Sequence, residues 1–159
     1  MAQLQFNLED ENEKLNLFLF EMEDLQEAFV EQAEIEGYTL DLSLNSLDEL
    51  ERYVIDTQVT FEDTSDAALA QRTNCWCYLG EVVRENCGGH WAFSANEENS
   101  ANWGMYVITD HSPVEGVEFE PLGTLKGFIL HGQPSGLRAA VEADTNPEEI
   151  DFSDIEEDK

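Results

Sequence analysis

Between Asp10 and Gly37 the apolar residues Leu15, Phe18, Met22, Leu25 and Phe29 recur at alternating steps of three and four. This spacing gathers them on one face of a helix of about 25 residues, with acids on the opposite face. Asp10 followed by Glu13 offers a capping pair at its start, and Gly37 ends it. After a short extended connection, "YTLDLSL", the run Ser46-Leu47-Asp48-Glu49 has the form of a capping box opening a second helix through Leu47, Leu50, Tyr53 and Val54. A third helix is expected from about Ser65 to Cys87. There Leu69, Thr73, Trp76, Gly80, Val83 and Cys87 fall at helical steps, and Gly88-Gly89 supplies a left-handed stop. Gly80, in its middle, costs about 1 kcal/mol against alanine, which points to close approach of another backbone.

Downstream the period changes. "HWAFS" reads as a strand, "ANEENSAN" as an acidic turn, and "WGMYVITD" as a second strand with Met105 and Val107 on one face and Tyr106 and Ile108 on the other, together an antiparallel hairpin. "VEGVEFEP" fits a strand or an irregular crossing. "PLGTLKGFILHG" fits a third strand or a short helix with Pro121 in its first turn and Gly132 at its end, Gly123 and Gly127 weighing against the helix. "PSGLRAAVEA" adds a helical turn or two. "DTNPEEIDFSDIEEDK" has the composition of a solvated tail. The expected architecture is α+β: N-terminal helices and a long central helix packed on a small antiparallel sheet, with short C-terminal helices. Residues 1–143 form one domain and 144–159 an acidic tail, and 159 residues fit a single core.

Charge changes this picture most. The chain carries 36 acids and 7 bases, a net charge of −29. Residues 1–63 hold 18 acids and 2 bases (−16), residues 64–141 hold 9 and 4 (−5), and residues 142–159 hold 9 and 1 (−8). Direct binding to nucleic acid or to an anionic membrane surface is disfavoured. The charge is explained by solubility, by a salt-rich cytoplasm or by a cationic partner protein. No stretch approaches the roughly 20 apolar residues of a membrane span, and "MAQLQFNLEDENEK" lacks a basic n-region, so a cytoplasmic protein with reduced thiols is expected.

The cysteines Cys75, Cys77 and Cys87, with His90, spell a possible zinc set. On a helix, however, Cys75 and Cys77 are about 200° apart and Cys87 lies about 15 Å further along, so the thiols diverge. Burial as small apolar side chains is the better reading. A Cys/His nucleophile pair with His90, His111 or His131 is formally available, but no cysteine occupies a helix N-terminus where its thiolate would be stabilised. No phosphate-binding glycine pattern is present. No catalytic, metal or cofactor residues are therefore assigned. Trp76 and Trp91 read as core, and Trp103, beside an acidic loop, as core or as an interface aromatic.

"YLGEVVRENCGGHW" (78–91) and "EPLGTLKGFILHG" (120–132) resemble segments of a group of small bacterial α+β domains. In that group Leu-Gly-Glu and an arginine precede a glycine pair and a tryptophan-bearing strand. Such domains occur among toxin-immunity proteins and uncharacterised orphans, and the later segment is helical there. The resemblance covers about residues 65–140. It implies an α+β scaffold and a toxin-neutralising role and brings no catalytic residues. Cys87 and His90 depart from its usual pattern.

The expected function is that of a non-enzymatic acidic binding protein, an immunity protein occluding a basic toxin such as a nuclease. The contact is placed on Glu97, Glu98, Trp103, Asp110, Glu115, Glu118 and Glu120. One alternative is a nucleic-acid mimic presenting Glu21, Asp24, Glu27, Glu31 and Glu34 to a DNA-binding protein. Another is a Cys/His metal-binding or enzymatic domain.

Overall fold

The computed structural model describes residues 7–95, 102, 104–114, 116–132 and 136–145. Its elements are α1 (Leu8–Ile35), α2 (Ser46–Asp56), α3 (Asp66–Cys87), β1 (His90–Phe93), β2 (Tyr106–Thr109), β3 (Glu118–Phe119), α4 (Pro121–His131) and α5 (Gly136–Thr145). The fold is α+β, with an antiparallel sheet in the order β1-β2-β3. Trp91 pairs with Ile108, and Ile108 with Phe119.

α3 is the centre. Six consecutive residues, Cys75 to Gly80, are buried, so this helix is covered on every side rather than along one stripe. Leu79, Val82 and Val83 join Leu47 and Leu50 of α2, Ile108 of β2 and Leu125 of α4 in one core. Phe18 of α1 stacks on Trp76 at 5.7 Å, and Trp76 meets Trp91 edge-on at 6.2 Å. This aromatic row ties the long helix to the sheet, and both tryptophans are buried. β2 does not alternate as a half-exposed strand would. Val107 and Ile108 are both fully buried, because helices and neighbouring strands cover both faces.

Several local details differ from the sequence-based expectation. Asn7, not Asp10, caps α1, its side chain accepting from the Asp10 N–H at 3.2 Å. Ser46 caps nothing. Its hydroxyl turns inward to the Tyr78 hydroxyl at 2.7 Å, while the Tyr78 oxygen accepts the Leu42 N–H at 2.9 Å. The expected reciprocal partner, Glu49, accepts instead from the Thr39 N–H and from Arg52. Ser65 does cap α3, accepting the Ala68 N–H. Gly88 has a positive φ of 85° but a ψ of −162°, an extended conformation open essentially to glycine alone and not the left-handed helical cap expected. Close approach at Gly80 comes from a side chain, since a Cβ there would fall on the Trp91 ring.

The 121–131 segment is a helix despite Gly123 and Gly127. Pro121 occupies the first turn, and the Glu120 carboxylate caps it by accepting the Gly123 N–H at 2.9 Å. Burial of Leu125 then outweighs the glycines. α5 docks on α2 through Leu137 and Val141 and through the buried Glu51, which accepts the Leu137 N–H at 2.8 Å. Arg138 reaches Asn45 and Asp48. Asp144 and Thr145, expected to begin the tail, form the last turn of α5, and residues 146–159 lie outside the described residues.

Candidate functional site

Of the three acids expected to meet a partner that lie among the described residues, Glu118 and Glu120 share one cleft and Asp110 does not line it. Glu118 and Glu120 flank Phe119 at the edge strand β3 and line a cleft of about 300 Å³ between the sheet edge and helices α4 and α5. Asn102, Thr124 and Asp144 complete its polar lining. β3 contributes only two residues to the sheet. α4 starts immediately after it, so the strand end and the helix N-terminus are forced to the same spot.

Each carboxylate is held in place. Glu118 accepts from the Ser94 hydroxyl at 2.9 and 3.1 Å and from Asn102 Nδ2 at 3.4 Å. Glu120 commits Oε1 to the Gly123 N–H, while Oε2 is buried without a hydrogen-bond partner. Burial pushes the Glu120 carboxyl above its usual range, against the lowering effect of the Gly123 and Leu122 amides. By linkage, its contribution to stability is present below the unfolded carboxyl's pKa and is lost as pH rises through the folded one. A cation or hydrogen-bond donor entering the cleft would satisfy Oε2 and reverse that loss. Asp144 Oδ2 lies 2.8 Å from His111 Nε2, and the His111 side chain is fully buried with Nδ1 unpartnered. Thr124 Oγ1 donates to the Glu120 carbonyl. The cleft thus presents fixed acceptors to whatever enters.

Asp110 sits apart from this lining. It follows β2 with a φ of 63° and an exposed side chain 3.6 Å from His90 Nδ1. Glu97, Glu98, Trp103 and Glu115 lie outside the described residues. Asp144 was missed from the sequence because it opened an apparently charged tail. Its helical context depends on α5 docking, for which the only local signal was Leu137 and Val141 at a four-residue step.

The thiols are placed as small core side chains. Cys75 and Cys77 are buried in α3, and Cys87 is half-buried at its C-terminal end, its Sγ 3.5 Å from Thr145 Oγ1. Burial pushes the Cys75 thiol up to about 12 and Cys77 upward as well. At pH 8 only about one Cys75 in ten thousand is a thiolate. Native protein treated with a thiol-reactive chromogen at pH 8 is therefore expected to release close to one equivalent, from Cys87, and three only after denaturation. Fast reaction of two thiols in the native state would show the core placement to be wrong. Among the described residues no group of three or more His, Cys, Asp or Glu side chains is arranged to hold a metal ion, and no helix is long and apolar enough to cross a membrane. Comparison of the chain with protein-family models, with curated proteins and with solved structures finds no match in any of the three.

Proposed function

We propose that this protein is an acidic, non-enzymatic binding protein that neutralises a basic protein partner, acting as an immunity protein toward a toxin such as a nuclease. The observation that carries the reading is how the chain uses its own cations. Arg52 and Arg84 pair with Glu49 and Glu81 of their own helices, Lys14 with Glu11, and Arg138 with Asp48. Arg72 donates to the carbonyls of Thr60 and Asp63, and Lys126 stands over the Phe61 ring. Hence the exposed carboxylates of α1 from Glu13 to Glu34 gain no cation from the described residues. Their counter-charge comes from solvent or from a partner, and a partner's lysines and arginines complement them. The resemblance of residues 78–91 and 120–132 to domains found among immunity proteins supports the same reading.

Mechanistically, the carboxylates steer a cationic groove toward the protein, and the cleft holds one basic side chain against Glu118, Glu120 and Asp144. Occlusion of the partner's active site follows from bulk and charge, without chemistry on it. A nucleic-acid-mimic version is favoured by one observation: Glu21, Asp24, Glu27, Glu31 and Glu34 are all exposed along a 28-residue helix, about 42 Å long. That version requires duplex DNA to compete for the partner.

The test is capture from a lysate of the source cells at about 20 mM and about 150 mM salt, followed by assay of whatever is captured. The expected result is one basic protein, released as salt rises, whose own activity falls on adding stoichiometric protein. Recovery of no specific partner, or of one whose activity is untouched, would overturn the proposal.

A further inference from the structure

The five-residue apolar stripe of α1 calls for Leu25 to be buried, yet Leu25 is 59% exposed, whereas Leu15, Met22 and Phe29 are 5–7% exposed. Leu25 lies at a groove of about 680 Å³ between α1, α3 and the connection from α2. Leu25, Ala28 and Phe29 form one wall, Ala67, Ala68 and Ala70 the other, with Tyr53 also lining it. The α1 wall spans Leu25 to Gln32, about 10 Å or two helical turns. A short side chain at each alanine leaves room between the helices for one more element.

The rim says what that element carries. Asp24 and Glu31 stand one turn before and one turn after Ala28, both exposed. Across the groove, Asp63 lines it, and the exposed Glu62 and Asp66 adjoin lining residues in the chain. The nearby cation, Arg72, turns its guanidinium onto the Thr60 and Asp63 carbonyls and lies 5.3 Å from the Phe61 ring. The trough is two turns long and mixed, its apolar strip of Leu25, Phe29 and the alanines flanked by Gln32, Gln58, Gln71 and Asn74; set between two acidic banks, it complements an amphipathic helix that is apolar on one side and basic along both edges.

We infer that the α1–α3 groove is a docking site for a basic amphipathic helix of a partner protein, its apolar residues laid between Leu25, Ala28 and Ala68. This rests on the reading of the protein as an acidic binder and adds to it a recognition element distinct from the β3–α4 cleft.

The probe is a synthetic 18-residue Leu/Lys peptide with leucines at helical i, i+3, i+4 spacing, set against a scrambled peptide of the same composition. Affinity is measured by fluorescence anisotropy at low salt for the native protein and for two charge-matched variants, Ala28→Lys in the groove and Phe20→Lys at an exposed position of α1 about 12 Å away along the helix axis, outside the groove lining. Circular dichroism confirms that each variant is folded. The patterned peptide is expected to bind at least about tenfold more tightly than the scrambled one. Ala28→Lys should weaken it by about tenfold and Phe20→Lys by less than about threefold. Equal binding of the two peptides, or equal weakening by the two variants, would overturn the groove while leaving the acidic-binder reading standing. Failure of both peptides to bind at all would sink that reading too. If sedimentation shows a dimer that Ala28→Lys dissociates, the groove holds a second copy of this chain and the inference is wrong.

Discussion

Gly80→Ala is expected to destabilise the protein by about 2 kcal/mol, whereas the same change at an open helix position raises stability by about 1 kcal/mol. The sign is decided by Trp91. A Cβ at position 80 would fall on the outer ring of that indole, with Pro121 on its other side. The indole cannot swing away freely, because its Nε1 donates to Glu81 Oε2 at 2.7 Å and its ring packs edge-on against Trp76. A methyl inserted there forces off-rotamer strain into a fully packed layer. The melting temperature should fall by about 4–8 °C for a chain of this size. Gly127 supplies the control. It lies within α4, is exposed, and a Cβ there meets nothing within 4 Å, so Gly127→Ala should gain about 0.5–1 kcal/mol. In a Trp91→Phe background the outer ring is gone, and Gly80→Ala should become neutral or mildly stabilising, a coupling of about 2 kcal/mol. If Gly80→Ala and Gly127→Ala shift denaturation midpoints in the same direction, the packing account of Gly80 is wrong.

That glycine also marks how far the chain could be read without coordinates. Periodicity located α1, α2 and α3, because apolar residues recur at steps of three and four in each, although α3 proves to be covered on every side around Cys75 to Gly80. The same pattern could not say where the neighbouring element stops, so Leu25 looked like core although α3 presents only small or polar residues, Ala67, Ala68, Ala70, Gln71 and Asn74, to that groove. A glycine in a helix announced a close approach but not its source. The 121–131 segment stayed open between strand and helix because its two glycines and its apolar density pull in opposite directions. The choice was made by the Glu120 cap and by Leu125 reaching the core. At the cleft, Glu118 and Glu120 were visible as acids on an edge, whereas Asp144 and the His111 beneath it were not. A contact across 33 residues between a loop and a terminal helix leaves no local signature. Ser46 shows the converse hazard: a capping-box spelling was overridden by a buried tyrosine that needed a hydroxyl partner.

Salt should act oppositely on the fold and on its complexes. With −29 charges on 159 residues and the described cations engaged with their own neighbours, carboxylate repulsion opposes compaction at low ionic strength. Raising salt from about 0.01 to about 0.3 M shortens the screening length from roughly 30 Å to below 8 Å. The melting temperature of the free protein is therefore expected to rise by about 5–10 °C over that range, equivalent to about 2–3 kcal/mol, and then to level off. A continued climb by tens of degrees into molar salt would instead assign the charge to a saline interior and remove the main support for a cationic partner. The decisive comparison adds the basic Leu/Lys peptide. A ligand that binds only the folded chain at a hundred times its dissociation constant contributes about 2.7 kcal/mol, and this contribution should be largest at low salt and vanish as screening grows. For an acidic binder the two melting curves, with and without peptide, must converge as salt rises, one climbing because repulsion is screened and the other losing its ligand. Solvent adaptation alone gives no reason for the patterned and the scrambled peptide to shift the curve differently at any salt concentration.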